Sequence, residues 1–344
     1  MKVKKIGIVS LSSGILGENF IKHELNIGIK RLQEYGVEVT FMPNSLNGLE
    51  DIKNNPQNRA IDLIDAFKDN SIDMILCAIG GDDTYRLLPS LFNNNELQDA
   101  VTPKIFLGFS DTTMNHFMLS KLGIKTFYGQ SFLPDVCELS SQMLPYTKQY
   151  FEELLTTGEI KEVRPSDVWY EERTDFSEAG INISMKSHIN TGFELINGSP
   201  IFEGELLGGC IDSIYDIFNN SRYSDTVSMC SKYELFPKLD EWKNKILLLE
   251  TSEEKTTPEL YKNMITALEE FGIFNVISGL LIGKPQNNTY YNEYKNILLE
   301  KFADTELPIL YNVNVGHCTP RCIIPFGVHA KVDATAQVIK FVYK

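Results

Sequence analysis

The sequence predicts an α/β fold, an N-terminal parallel-sheet domain followed by a second α/β domain, and three observations carry that expectation. Apolar runs of strand length alternate with helical periodicity through residues 1–130. Several of those runs end in a glycine followed by polar residues that open a helix. Regularity then lapses in a polar, turn-rich stretch, and new apolar runs resume near residue 205. With 344 residues, 43% hydrophobic and 23% charged, the chain can bury an ordinary core and divide into two domains. We place an N-terminal domain at 1–160, a linker and loop segment at 161–200, and a C-terminal domain at 201–344.

The elements follow in order. Val3–Val9 reads as a strand, Phe20–Tyr35 as a helix, Val37–Phe41 as a strand, Arg59–Asp69 as a helix and Met74–Ile79 as a strand. Ile105–Gly108 continues the pattern, and its helix carries Met114, Phe117, Met118 and Leu122 on an apolar face before Gly123 stops it. A helix over Thr147–Leu155 precedes the irregular stretch, which suits a linker with short strands. Beyond Glu205, Lys245–Leu249 is a strand, Thr257-Pro258-Glu259 opens a helix that closes near Gly272, and Gly279–Gly283 and Pro308–Val315 are strands.

Charge and composition exclude several classes. A net charge of −14 makes nucleic acid a poor partner, because the chain's field repels phosphate. Every apolar run breaks within about ten residues, against the roughly 20 that a spanning helix needs, so no membrane segment is expected. The opening "MKVKKIGIVSLSSG" is interrupted by Gly7 and three serines before a signal-peptide core can form, so a cytoplasmic protein is expected. Six cysteines lie scattered with no C-x-x-C spacing, which suits core thiols. Cys318 and Cys322, with Pro320 between them and only His317 nearby, make a poor metal site, and no cofactor is called for.

Four corners carry candidate chemistry. In "KIFLGFSDTTMNHF" a buried strand runs through Gly108 into Ser110, and a helix start follows. Such a turn exposes its side chain and leaves backbone N–H groups around it, which suits a nucleophile; helix capping by the Ser-Asp-Thr-Thr cluster is the plainer use. "IDMILCAIGGDDTYRLLP" ends a second strand in Gly80-Gly81, where backbone can approach a ligand closely. This loop resembles the phosphate-cradling Gly-Gly-Asp-Gly-Thr of NAD and diacylglycerol kinases, but Asp83 stands at the fourth position and its carboxylate would face the phosphate. In "VNVGHCTPRCIIPFGV" a strand ends at Gly316-His317, with Pro320 barring a helix. "KILLLETSEE" ends a strand at Glu250, a carboxylate able to orient an imidazole, while Glu253 and Glu254 read as solvated loop charge.

Among the five histidines, His317 is the best base. His116 lies about 9 Å along its helix from Ser110 at ~1.5 Å rise per residue, His23 is in the first helix and His188 in the linker, and His329 reads as a packed strand residue.

Taken together, "IGIVSLSSG", "IGGDDTYRLLP", "GFSD", "LLGG", "LLLETSEE", "GLLIGKP" and "VNVGHCTPRCIIPFGV" resemble, over most of the chain, the LD-carboxypeptidase and microcin C immunity family of serine peptidases. The resemblance implies Ser110 as nucleophile in a triad with Glu250 and His317, and an oxyanion hole from the backbone N–H of Asp111 and of Gly80 or Gly81. It further implies a site between the two domains, a homodimer in the cytoplasm, and one of two substrates: murein tetrapeptide cut at its L–D bond, or a peptidyl-aminoacyl nucleotide cut at the amide between the peptide's C-terminal residue and the nucleotide-like group. Trp169 in "SDVWYEER" resembles a loop aromatic that stacks on a nucleobase, and Arg86 could pair with a substrate carboxylate or phosphate. Residue 112 is Thr, so the G-x-S-x-G elbow of α/β-hydrolases is absent. A ligand-binding protein without turnover would leave unexplained why Ser, Glu and His stand at three strand ends.

Overall fold

The computed structural model describes residues 2–343 and shows a mixed α/β chain organised on two large sheets. In the first sheet β1 (Lys5–Val9), β2 (Glu38–Phe41), β3 (Met74–Cys77), β4 (Ile105–Gly108) and β5 (Thr126–Tyr128) run parallel in the order β5-β4-β3-β1-β2. β3 and β4 are buried along their whole length, as central parallel strands covered on both faces must be, which explains their unbroken apolar sequence. The crossover helices are Lys22–Glu34 and Pro56–Lys68; the first begins two residues later than Phe20 because a 3-10 turn over Asn19–Ile21 leads into it.

The linker contains β6 (Glu162–Val163), the hairpin of β7 (Val168–Tyr170) and β8 (Ser187–Ile189), and β9 (Glu194–Asn197). β10 (Ile201–Cys210), β11 (Lys245–Glu250), β12 (Gly279–Gly283) and β13 (Ile309–Val313) form the parallel centre of the second sheet. β14 (Ile324–Phe326), β15 (His329–Asp333) and β16 (Val338–Val342) complete the chain. The helix after β11 spans Pro258–Phe271, with the Thr257 hydroxyl accepting from the Leu260 N–H and Gly272 closing it at φ 89°.

Both expected sheets exist, yet the chain crosses between them. β14 pairs antiparallel with β5, so residues 324–326 of the C-terminal stretch complete the N-terminal sheet. β5 would otherwise present an open edge, and the segment leaving His317 covers it. In return β6 and β9 of the linker pair with β16 and β13 at the two edges of the second sheet. The cleft between the sheets is thus braced by strands exchanged across it. Among the described residues, no helix is long and apolar enough to cross a membrane. All six cysteines are free and buried.

Candidate active site

β4 delivers Ser110 to this cleft in a strained turn. Phe109 is extended, Ser110 has φ 65°, and the helix Thr113–Ser120 follows. A non-glycine residue in the left-handed region costs about 1 kcal/mol or more, so its neighbours must hold it. They do so on both sides: the Ser110 N–H donates to the Tyr128 hydroxyl at 3.2 Å, and the Thr113 hydroxyl donates to the Ser110 carbonyl at 2.7 Å. Gly80 comes so close that a Cβ there would sit 2.6 Å from Ser110 Oγ, which explains the glycine. The N–H groups of Gly80 and Gly81 find no hydrogen-bond partner among the described residues. The Asp111 carboxylate anchors the turn from beneath, accepting from the Ser12 hydroxyl at 2.6 Å and from the Thr84 N–H and hydroxyl at 2.9 and 2.6 Å.

β11 and the loop after β13 bring the other two residues to the same point. Glu250 ends β11 and is 1% exposed. Its Oε2 accepts from His317 Nδ1 at 2.8 Å and from the His317 backbone N–H at 3.1 Å. His317 Nε2 lies 3.1 Å from Ser110 Oγ. Gly316, at φ 80°, lets the loop pass over Glu250, where a Cβ would fall 2.2 Å from the carboxyl carbon. Burial pushes the His317 imidazole down, but the charge of Glu250, its hydrogen bond and a contact with Glu253 outweigh it and lift the group to about 10.

Two participants escaped the sequence reading. Tyr128, at the end of β5, donates its hydroxyl to Glu250 Oε1 at 2.6 Å while accepting the Ser110 N–H, so one phenol links the Ser110 turn and the Glu250 carboxylate. The run "TFYG" ending a strand at a glycine was the only local signal. Glu253, expected to be solvated loop charge, has a 62% exposed side chain and still reaches His317 Nε2 at 2.9 Å. Pairing with His317 holds its carboxyl at about 2, against a smaller effect of burial.

Other candidates go elsewhere. Trp169 does not line the cleft: β7 pairs with β8, which stacks the indole on His188 at 4.3 Å, with Lys284 Nζ 5.2 Å from the ring. The linker ring that does line it is Phe176, 51% exposed, whose carbonyl is held by His23 Nε2 at 2.8 Å. Arg86 also stays outside, 4.8 Å over the Tyr223 ring and 3.8 Å from Asp83. Asp83 faces no phosphate site, because fully buried Arg59 grips its carboxylate through both terminal nitrogens and also donates to the Leu11 and Ser12 carbonyls. The kinase-loop reading is thereby replaced by a structural ion pair. His116 is a neutral core residue between the Thr126 hydroxyl and the Gly108 carbonyl, and burial pushes it down to about 3. His329 is not packed as expected but partly exposed, 3.5 Å from Glu203.

The cleft encloses about 810 Å³ and is lined by Ser110, His317, Gly80 and Gly81 together with Phe20 and Phe176. That volume suits a nucleotide-sized or short-peptide ligand. Among the described residues, the nearest approach to a metal-ligand set is Cys210, Glu250 and His317, with donor atoms within 4.8 Å of one another. Both Glu250 oxygens are already engaged, by Tyr128 and by His317, so the carboxylate serves the imidazole.

Both halves of the chain resemble known proteins. Residues 6–129 match the LD-carboxypeptidase N-terminal domain and residues 203–332 the LD-carboxypeptidase C-terminal domain. A crystallised MccF-like protein from Streptococcus pneumoniae, solved in complex with AMP, is 62% identical, with a TM-score of 0.98 and 99% of each chain covered. An MccF-like protein from Bacillus anthracis is 25% identical, with a TM-score of 0.80 over 100% of this chain and 98% of its own. YocD of Bacillus subtilis, provisionally named a carboxypeptidase, is 25% identical over 97% of this chain and 95% of its own. With both domain models matched across the two sheets that hold Ser110, Glu250 and His317, the chain belongs to the LD-carboxypeptidase family of serine peptidases.

Proposed function

We propose that the chain hydrolyses an amide bond through an acyl-enzyme on Ser110. The carrying observation is the continuous relay from Ser110 Oγ to His317 Nε2 at 3.1 Å and from His317 Nδ1 to Glu250 at 2.8 Å, opening on a cleft of substrate size. Ser110 Oγ adds to the carbonyl carbon as His317 takes its proton. The backbone N–H groups of Asp111 and of Gly80 or Gly81 receive the oxyanion, a kind of contact whose single members are worth about 3 kcal/mol of barrier. His317 then protonates the leaving nitrogen, and water attacks the ester to release the acid.

Family membership points to the L–D bond of murein tetrapeptide as substrate. A second reading is favoured by two observations: the pneumococcal protein holds AMP, and Phe20 and Phe176 present exposed rings to the cleft. On that reading the amide joins an acyl residue to a nucleotide-like group, with Phe176 rather than Trp169 against the base. Arg86 has no role in either. We further propose that the chain acts as a homodimer in the cytoplasm, testable by sedimentation at twice the chain mass and by fractionation. Purified protein would be incubated with murein tetrapeptide and, separately, with aspartyl sulfamoyl adenosine, and products read by mass spectrometry. Cleavage of one selects the reading; cleavage of neither, by protein that is folded, refutes the hydrolase.

A further inference from the structure

His317 Nε2 must accept the Ser110 proton, yet it faces two oxygens. Ser110 Oγ is 3.1 Å away and Glu253 Oε2 is 2.9 Å away. A carboxylate has only lone pairs to offer, so this contact is favourable only while Nε2 carries a proton. A proton on Nε2 makes the ring an imidazolium between two carboxylates, Glu250 at 2.8 Å from Nδ1 and Glu253 at 2.9 Å from Nε2, and both neighbours favour that charged form. The remaining groups around it do not relieve this state. The Tyr128 hydroxyl stands behind Glu250, Cys210 Sγ lies within 4.8 Å of the ring donor, Cys318 follows on the same loop, and Arg321 sits 4.7 Å over the Phe109 ring, whose own centroid is 5.0 Å from the imidazole. An imidazolium cannot take a proton from serine.

Glu253 is placed to leave. It occupies a turn just beyond β11, its side chain is largely exposed, and it forms part of the cleft wall. The same cleft is lined by Glu24, Glu138 and Glu172, and the arginines in reach are already engaged: Arg173 with Glu138, Arg321 with Asp135 at 3.3 Å, and Arg222, whose charge also acts on Glu253, with Asp216 at 3.5 Å and Glu254 at 3.2 Å. A cation that would draw Glu253 away from His317 must therefore arrive with the ligand.

We propose that Glu253 is a substrate-operated latch: in the free protein it holds His317 protonated, and an ammonium group on the acyl residue of the substrate pulls its carboxylate off Nε2. The proposal rests on the Ser110 hydrolase reading in its nucleotide form, since murein tetrapeptide has that nitrogen in peptide linkage, and adds a substrate class to it, amides whose acyl residue carries a free amino group beside the scissile carbonyl. When Glu253 moves to that ammonium, the Nε2 proton passes to water. Nε2 then takes the Ser110 hydroxyl proton as Oγ bonds to the carbonyl carbon, and returns it to the leaving nitrogen as the C–N bond breaks.

The test compares aspartyl sulfamoyl adenosine with its N-acetyl derivative on the wild-type protein, Glu253→Gln and Glu253→Asp. Wild type should prefer the free amine by about tenfold or more in kcat/KM, the scale of one lost charge contact. In Glu253→Gln that preference should fall to about twofold. The acid limb of kcat/KM on the N-acetyl compound should move at least about one pH unit lower, because neutral His317 then persists to lower pH. Glu253→Asp, which keeps the charge, should recover part of the preference. The His317 ring resonances of the ligand-free protein, followed by NMR, should also titrate lower in Glu253→Gln. Unchanged selectivity with an unchanged acid limb overturns the latch. If wild type cleaves neither compound, the nucleotide reading is what has failed, and the NMR titration still decides the latch: a His317 that titrates alike in both proteins rejects it.

Discussion

Replacing Tyr128 by Phe isolates one oxygen atom. The ring itself is secured by stacking on Phe326 at 5.2 Å and 24°, with Phe109 and His116 at its edges, so the isosteric change opens no cavity. What disappears is a 2.6 Å hydrogen bond to the Glu250 carboxylate and the acceptor of the Ser110 N–H at 3.2 Å, both fully inside the protein. A hydrogen bond to a charged group contributes about 1.5–3 kcal/mol, and an orphaned buried amide costs about 1–3 kcal/mol more. Roughly 4 kcal/mol is therefore at stake, divided between stability and the geometry of the relay. In a chain this long the melting midpoint should fall by about 4–8 °C, since each kcal/mol shifts larger proteins by fewer degrees. Glu250 retains His317 but loses its second anchor, and a displacement near 1 Å in such a relay costs up to about 100-fold, so kcat should drop about 10- to 100-fold with KM nearly constant. Calorimetry and steady-state kinetics on the cleaved substrate read both effects. A kcat within about twofold of wild type would falsify the positioning role, even if the midpoint falls as expected.

Ser110→Ala should abolish turnover with little change in melting, and Ser110→Gly should melt higher than Ser110→Ala by about 1 kcal/mol of stability, because φ 65° suits glycine; equal midpoints would show that the turn is unstrained. Asp83→Asn should destabilise by about 3–5 kcal/mol by leaving the Arg59 charge buried without its partner, and a midpoint equal to wild type would remove Asp83 as the anchor of the glycine loop. His116 titrates near 3 in the folded protein against 6.5 when unfolded, so the unfolded state binds the extra proton first. Its contribution to stability is whole above pH 6.5 and is lost as pH falls toward 3. His116→Phe, although less stable overall, should thus show a stability slope flatter by about 1.4 kcal/mol per pH unit between those limits; parallel slopes would mean His116 is protonated in the fold. Phe176→Ala should weaken kcat/KM on the nucleotide compound by about 1–3 kcal/mol and spare murein tetrapeptide, whereas Trp169→Ala should leave both alike; the reverse pattern would restore Trp169.

Much of this protein was legible without coordinates because the signals are local. An apolar run ending in Gly108, Gly80 or Gly316 marks the carboxyl end of a strand, and in parallel sheets those ends collect on one side. Ser110, Glu250 and His317 were therefore each legible as polar residues at strand ends, while their reading as one triad came from the resemblance of the ordered motifs. What no local pattern contains is distance between remote positions. Tyr128 meets Glu250 across 122 residues, and His317 meets Ser110 across 207. Whether Trp169 or Phe176 enters the cleft depends on a hairpin partner 19 residues further on, since pairing with His188 turns the indole away. Glu253 and Glu254 are indistinguishable as consecutive loop carboxylates, and only the path of the turn after β11 puts the first of them on His317. The sequence by itself determined which residues stand at strand ends, because backbone conformation and burial follow short-range periodicity. Only the tertiary structure decided which of them touch, because contact depends on how the two sheets close over the cleft and on β14 crossing from one to the other.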